Sequence, residues 1–154
     1  MIIMKRIAQL FITIVVLAGC RHTGGGDDRR EVFDAHGALV YTVFANRDTR
    51  TMSVVYGNTA AIQNANSRSG THHAGEELTV VTYQQQNNKY WYGSYINGRV
   101  KSVEKITMRH PKNGVAGWDY HLVSGSSPLA AGGQRLAVTQ RVAEILGKRS
   151  VVFP

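Results

Sequence analysis

The stretch from Glu77 to Met108 limits most tightly what this chain can become. Three runs rich in β-branched and aromatic residues (77–83, 90–96 and 99–107) are separated by the polar segment Gln84-Gln-Gln-Asn-Asn-Lys89 and by Asn97-Gly98. Runs of that kind between turn residues read as strands. Asn and Gly both tolerate the positive φ that a type I′ turn requires, so Asn97-Gly98 predicts a tight hairpin. The whole stretch therefore reads as an antiparallel meander. That pattern speaks to fold and carries no catalytic chemistry.

The flanking segments extend the sheet and add two helices. Residues 37–44 alternate weakly through Leu39, Tyr41 and Val43 and predict a first strand. After a polar turn at 46–50, Thr51-Met-Ser-Val-Val-Tyr56 predicts a second, closed by Gly57-Asn58. Asn58 is placed to cap a short helix over 59–65, whose Ala60, Ala61 and Ile62 offer a small apolar face. A polar loop with His72-His73 leads into the meander, and Pro111-Lys-Asn-Gly114 reads as a turn after it. A strand over 117–123 puts Trp118, Tyr120 and Leu122 on one face by the two-residue period. The strongest helix signal spans 134–146: Val138, Val142 and Ile145 recur at i, i+4 and i+7. Gly147 suits the C′ position, and Lys148-Arg149 favour the helix's negative end. The chain ends on an apolar Val151-Val-Phe-Pro154, expected to pack. The fold class is α+β: an antiparallel sheet of about five or six strands with one short helix and one C-terminal helix packed on it.

The first residues read as an address. Met4-Lys5-Arg6 is a short positive region and 7–17 an apolar one, too short to span a bilayer, which needs about 20 residues, but suited to an export signal. It ends in Leu17-Ala18-Gly19-Cys20, which resembles a bacterial lipobox. An ordinary secretory signal with an incidental Cys, or a buried helix, is the plainer alternative. The resemblance to lipoproteins implies a signal peptide over 1–19, cleavage before Cys20, and palmitate-type acylation of the Cys20 sulfur and amine. Two or three acyl chains anchor stably where one does not. Arg21 follows Cys20 where inner-membrane retention would call for Asp, which implies the outer membrane, facing the periplasm. Residues 20–36, with Gly24-Gly25-Gly26-Asp27-Asp28-Arg29-Arg30, then read as a flexible tether ahead of a single domain over 37–154.

Charge and cysteine content narrow the function classes. Removing Lys5 and Arg6 with the signal leaves 16 of the 18 basic residues against 10 acidic ones, or +6. The remaining positives are scattered and form no run, so no nucleic-acid partner is expected. One Cys excludes an internal disulfide framework, Cys-rich zinc sites and a Cys-x-x-Cys-His haem attachment.

Several segments in order resemble the cytochrome P-460 family. Thr51-Met-Ser-Val-Val-Tyr-Gly-Asn-Thr-Ala-Ala61 is similar to its strand–turn–helix entry, and Ala74-Gly75 leading into 78–85 to the strand that follows. Tyr90-Trp-Tyr-Gly-Ser-Tyr-Ile96 with Ser102-Val103-Glu104, then Gly117-Trp118, Pro128-Leu129 and the closing helix with Ser150-Val-Val-Phe-Pro154, continue the likeness. It covers 51–154 and implies that family's fold. Haem-bearing members use two Cys and an axial His on the last helix and a cross-linking Lys on a strand. Those positions fall here on Thr139, Val142 and Ala143, and near 80–82, where no Lys stands. Thr, Val and Ala supply no strong donor to a haem iron. The resemblance therefore does not bring hydroxylamine oxidation or nitric oxide binding with it. The expected function is a non-enzymatic binding or envelope-interaction module, whose partner is a small molecule or an envelope protein. The alternative is haem held without covalent bonds through a Tyr or His, in a redox or nitric oxide-related protein.

Site candidates are few. Tyr83, Trp91, Tyr92, Trp118 and His121 are candidate pocket residues, though aromatics on strands more often form core. His121 should face away from Trp118 and Tyr120, and His110 should sit in the Pro111 turn. Adjacent His72 and His73 point to opposite sides of an extended segment, so a solvated loop is expected rather than a metal site. Glu76-Glu77 and Asp119-x-His121 offer acid–base groups with no nucleophile beside them. No catalytic residue and no metal ligand is assigned.

Overall fold

The computed structural model describes residues 30–67, 71–112, 115–126 and 134–151. The lipobox with Cys20, the tether as far as residue 29, the loop containing Pro128 and the chain end at 152–154 lie outside the described residues. The elements run β1 (Leu39–Asn46), β2 (Thr51–Gly57), α1 (Thr59–Ser67), β3 (Glu77–Asn87), β4 (Tyr95–Lys112), β5 (Val115–Gly125) and α2 (Gln134–Leu146). The strands form one sheet in sequence order, β1-β2-β3-β4-β5, with every neighbouring pair antiparallel. The architecture is thus an antiparallel sheet with two helices, an α+β fold. Among the described residues no helix is long and apolar enough to cross a membrane.

The meander differs from expectation at its turn. Asn97-Gly98 makes no hairpin, because β4 runs straight through it and Asn97 pairs with Gln85. A Cβ on Gly98 would lie 3.1 Å from the Gln84 carbonyl oxygen and 3.0 Å from Gln86 Oε1. Glycine serves close strand approach there, at an irregularity in the register, rather than turn formation. The reversal is made by residues 88–94 instead. Asn88 N–H donates to Ser94 O at 3.0 Å, Asn88 Oδ1 accepts from Tyr90 N–H at 2.9 Å, and Gly93 takes a φ of 77°. Residues 90–94 of the expected middle strand are therefore loop. At the far end β4 continues through His110 and Pro111, and Lys112 pairs with Val115. His110 is accordingly an exposed strand residue, and the connection falls at residues 113 and 114, outside the described residues.

The two faces of the sheet are filled differently. On one, Val55, Leu78, Val80 and Ile106 pack with Ala61 and Ile62 of α1 and with Val142 and Ile145 of α2. Full burial of each such side chain stabilises by about 1.5–3 kcal/mol. Asn58 starts α1 as its sequence foretells, accepting from Ala61 N–H at 3.0 Å and donating to Gly75 O at 2.9 Å. On the other face Val54, Val81, Tyr83 and Val103 are covered by Phe33, Tyr56 and Val100. Phe33 and Tyr56 stack at 5.6 Å between centroids. Glu31 binds β4 twice, its N–H donating to Gly98 O and its carboxylate accepting from Val100 N–H. The folded part therefore begins by Glu31, within the segment read as tether. An apolar Phe amid polar residues was the signal for it.

Candidate functional site

A cleft of about 580 Å³ opens between the outer strands and α2, lined by Arg109, Gly117, Trp118, Asp119, Tyr120, Val138 and Thr139. Its size lies in the usual range for small-molecule sites, roughly 300–1,000 Å³. The two-residue period of β5 brings Trp118 and Tyr120 to the face that α2 covers, where both are half-buried. Val138 answers them from the helix. At one edge Arg109 is fixed twice: Nε lies 3.2 Å from Asp119 Oδ2, and Nη2 donates to Trp118 O at 3.0 Å.

Beneath the cleft lies a closed charge network. Glu104 is 0% exposed. Its Oε1 accepts from Tyr120 Oη at 2.8 Å and Arg141 Nε at 3.2 Å, and its Oε2 from Arg141 Nη2 at 2.8 Å. Arg141 Nη1 reaches Glu144 Oε2 at 3.0 Å. Burial works against the charge on Arg141, but the bonds and charge of Glu104, then of Glu144, outweigh it and raise its pKa above the ordinary value. Both Glu104 oxygens are thus committed to donors, so this carboxylate is ill placed to act as a general base. What the cleft offers chemically is an aromatic and aliphatic wall with an arginine–aspartate pair at its edge.

The donors expected for haem are not among the lining residues. Of the positions to which the resemblance assigns Cys, Cys and His, Thr139 lines the cleft, Val142 is buried in the core, and Ala143 is exposed. Val80, Val81 and Thr82, where the cross-linking Lys would fall, are buried in mid-β3. The one phenol of the lining, on Tyr120, donates to Glu104. An iron needs imidazole, thiolate or phenolate, and this donor set does not fit it.

Of the five candidate pocket residues, only Trp118 lines the cleft. Tyr83 lies in the core of the opposite face, its pKa pushed up to about 12 chiefly by burial, then by Tyr56. Trp91 and Tyr92 stand in solvent on the β3–β4 loop, and His121 is exposed on β5, facing away from Trp118. His72 corrects the expectation of a solvated loop. Its Nδ1 lies 2.7 Å from Oε2 of Glu76, which is 1% exposed, and its Nε2 lies 3.4 Å from Leu146 O at the end of α2. Glu76 Oε1 also accepts from Asn64 Nδ2 at 2.8 Å and His73 N–H at 2.6 Å. Among the described residues no group of three or more His, Cys, Asp or Glu side chains is placed to hold a metal.

Sequence reasoning passed over Glu104, Arg109 and Arg141. Two of them carried a signal: Glu104 falls on the same strand face as Ile106 and Met108, and Arg141 interrupts the stripe of Val138, Val142 and Ile145. A charge on an apolar stripe calls for a partner on the facing element. No protein-family model and no curated protein matches this chain.

Proposed function

We propose that the chain is a lipoprotein of the outer membrane, facing the periplasm, whose cytochrome P-460-like domain has lost covalent haem and acts as a non-enzymatic small-molecule-binding module. The observation that carries the reading is the cleft between β5 and α2, walled by Trp118, Tyr120 and Val138, with Thr139 where the resemblance calls for a Cys. A planar, largely apolar molecule bearing one anionic group suits it. The ring would stack near Trp118 and the anion approach Arg109. The buried network beneath the cleft supports binding rather than turnover, since it fixes Tyr120 and offers no idle base.

The probe for this reading is 8-anilinonaphthalene-1-sulfonate, a planar apolar anion. The folded chain should enhance its fluorescence, Trp118→Ala should abolish most of that enhancement, and Arg109→Ala should weaken it. Enhancement unchanged in Trp118→Ala would place the binding elsewhere and remove the reading. The haem alternative is tested beside it by adding haemin: a stoichiometric Soret band that survives gel filtration and disappears in Tyr120→Phe would reverse the conclusion. Anchoring has its own assay, in which labelled palmitate enters the wild-type chain and not Cys20→Ala.

A further inference from the structure

The β3–β4 loop carries three consecutive aromatic residues turned to solvent. Tyr90 is 86% exposed, Trp91 73% and Tyr92 fully, and Tyr95 at the start of β4 is half-exposed. Tyr41 and Tyr83, by contrast, are sunk in core. The loop is nonetheless built rather than frayed. Asn88, Trp91 and Ser94 close it with backbone bonds, Ser94 Oγ donates to Trp91 O at 3.0 Å, and Gly93 supplies the positive φ that the reversal needs. Three large rings held in water against their hydrophobic tendency favour a surface that would bury them. All three residues also carry a polar tip, a phenol or an indole N–H. Amphipathic rings of this kind favour the boundary between hydrocarbon and water.

Two further observations point to a bilayer as the occupant. The first is the course of the earliest described residues. Glu31 is bonded to Gly98 and Val100, and Phe33 lies further from the loop, against Tyr56. From Phe33 back to Glu31 the chain runs toward the same end of the sheet as the loop. Only three residue steps of strand separate Gly98 from Tyr95, about 10 Å at roughly 3.3 Å each. Ten residue steps join Arg30 to Cys20 and span at most about 36 Å. A lipid on Cys20 would therefore hold the domain to the membrane by a tether that starts from this end. The second is charge. The β1–β2 turn lies at the same end, Arg50 O accepting from Gln85 N–H at 2.8 Å, so exposed Arg47 and Arg50 share this end of the sheet with exposed Lys89, as does Asp48. The Lys89 ammonium stands 5.1 Å from the Tyr90 ring centre, so cation and ring form one amphipathic unit.

We infer that the Tyr90-Trp91-Tyr92 tip inserts into the headgroup region of an anionic phospholipid bilayer and orients the domain on the membrane to which Cys20 ties it. The inference rests on the lipoprotein reading for its anchor, and the experiment separates the two. The full chain, expressed with its own signal and purified from the membrane fraction, is reconstituted into phosphatidylethanolamine–phosphatidylglycerol vesicles with or without brominated acyl chains. Trp91 emission should be quenched by the brominated lipid, and Trp91→Phe, which leaves Trp118 as sole reporter, should lose that quenching. Replacing phosphatidylglycerol by phosphatidylcholine should reduce it, as should Lys89→Glu. Equal emission in both kinds of vesicle, with palmitate label present on Cys20, overturns the inserted tip and leaves the anchor standing. A missing label with Trp91 still quenched overturns the anchor and leaves the tip. Quenching that persists in Trp91→Phe would assign it to Trp118 and also defeats the inference.

Discussion

Among the described residues two carboxylates are closed to water, and they are held by opposite means. Glu104, on β4, meets a guanidinium from α2 in a two-point grip, with a phenol as third donor. Glu76, in the loop before β3, meets an imidazole, a side-chain amide and a backbone N–H. Arginine keeps its charge at every pH a protein survives, whereas histidine is the side chain whose ordinary titration crosses the physiological range. The first site ties the helix to the sheet by charge matched with charge. The second ties a loop to the helix end largely by hydrogen bonds, through His72 and Leu146 O. A buried ion pair gives little net stability over an apolar replacement, but breaking it from one side is severe. The Glu104 site should therefore respond far more to loss of its cation than the Glu76 site to loss of its imidazole.

The largest effect follows directly. Arg141→Ala leaves Glu104 buried with only Tyr120 as donor and should cost about 3–5 kcal/mol in urea unfolding. The double variant Glu104→Leu/Arg141→Met should recover most of that loss. Equal instability of the single and double variants would mean that the cost lies in helix packing and not in charge. Next comes His72→Ala. It removes one donor from Glu76 but leaves Asn64 Nδ2 and His73 N–H in place, so about 1–3 kcal/mol is expected. A cost as large as that of Arg141→Ala would erase the distinction between the two sites.

Which parts of this could be read from the chain depended on how far each signal reached. Local ones came through: α2 occupies the segment that Val138, Val142 and Ile145 marked, and Asn58 caps the helix after it. Asn97-Gly98 misled because a dipeptide's freedom to turn does not decide whether the chain turns there. The extended β3 and β4 backbones and the Asn88–Ser94 closure won, and Gly98 was needed for close approach to Gln84. The cleft was half-legible, since period two gave Trp118 and Tyr120 one face, yet nothing local said that α2 would lie over them. Glu104 and Arg141 lie 37 residues apart, and only the packed helix brings them together. The burial of His72 is not legible in the sequence, because an adjacent pair of histidines has no periodic face from which burial can be judged.

A smaller effect probes the third donor at Glu104. Tyr120→Phe removes a neutral hydroxyl while Arg141 still binds both oxygens, so about 1 kcal/mol should be lost. Combining it with Arg141→Ala should cost less than the sum of the two changes by more than about 0.5 kcal/mol, or more than that sum by a similar margin, because the partners share one carboxylate. Strict additivity would show that Tyr120 and Arg141 act independently.

The smallest effect is confined to alkaline pH and tells the two sites apart without disturbing either at neutrality. Tyr41 packs beside His72, with ring centroids 6.4 Å apart, and its pKa is raised from the ordinary 10.0 first by burial and then by the charge of Glu76, against a lowering bond from Ser150. In the unfolded chain that phenol ionises first, so the folded state holds the extra proton. Its contribution is complete below about pH 10 and falls as pH climbs toward the folded value, by no more than about 1.4 kcal/mol per pH unit. The Glu104 site has no such limb in this range, because Arg141 keeps its proton there in the unfolded chain as well as in the folded one, and folding raises its pKa further. Stability measured by urea unfolding from pH 9 to 12 should therefore decline less steeply in Tyr41→Phe than in the wild type. Tyr83→Phe should flatten the same curve through its own raised phenol on the other face, and the two changes should add, since they lie in separate cores. An unchanged slope in Tyr41→Phe would mean that its phenol titrates alike folded and unfolded, and the Glu76 site would then lose the pH-sensitive neighbour that distinguishes it from its counterpart under α2.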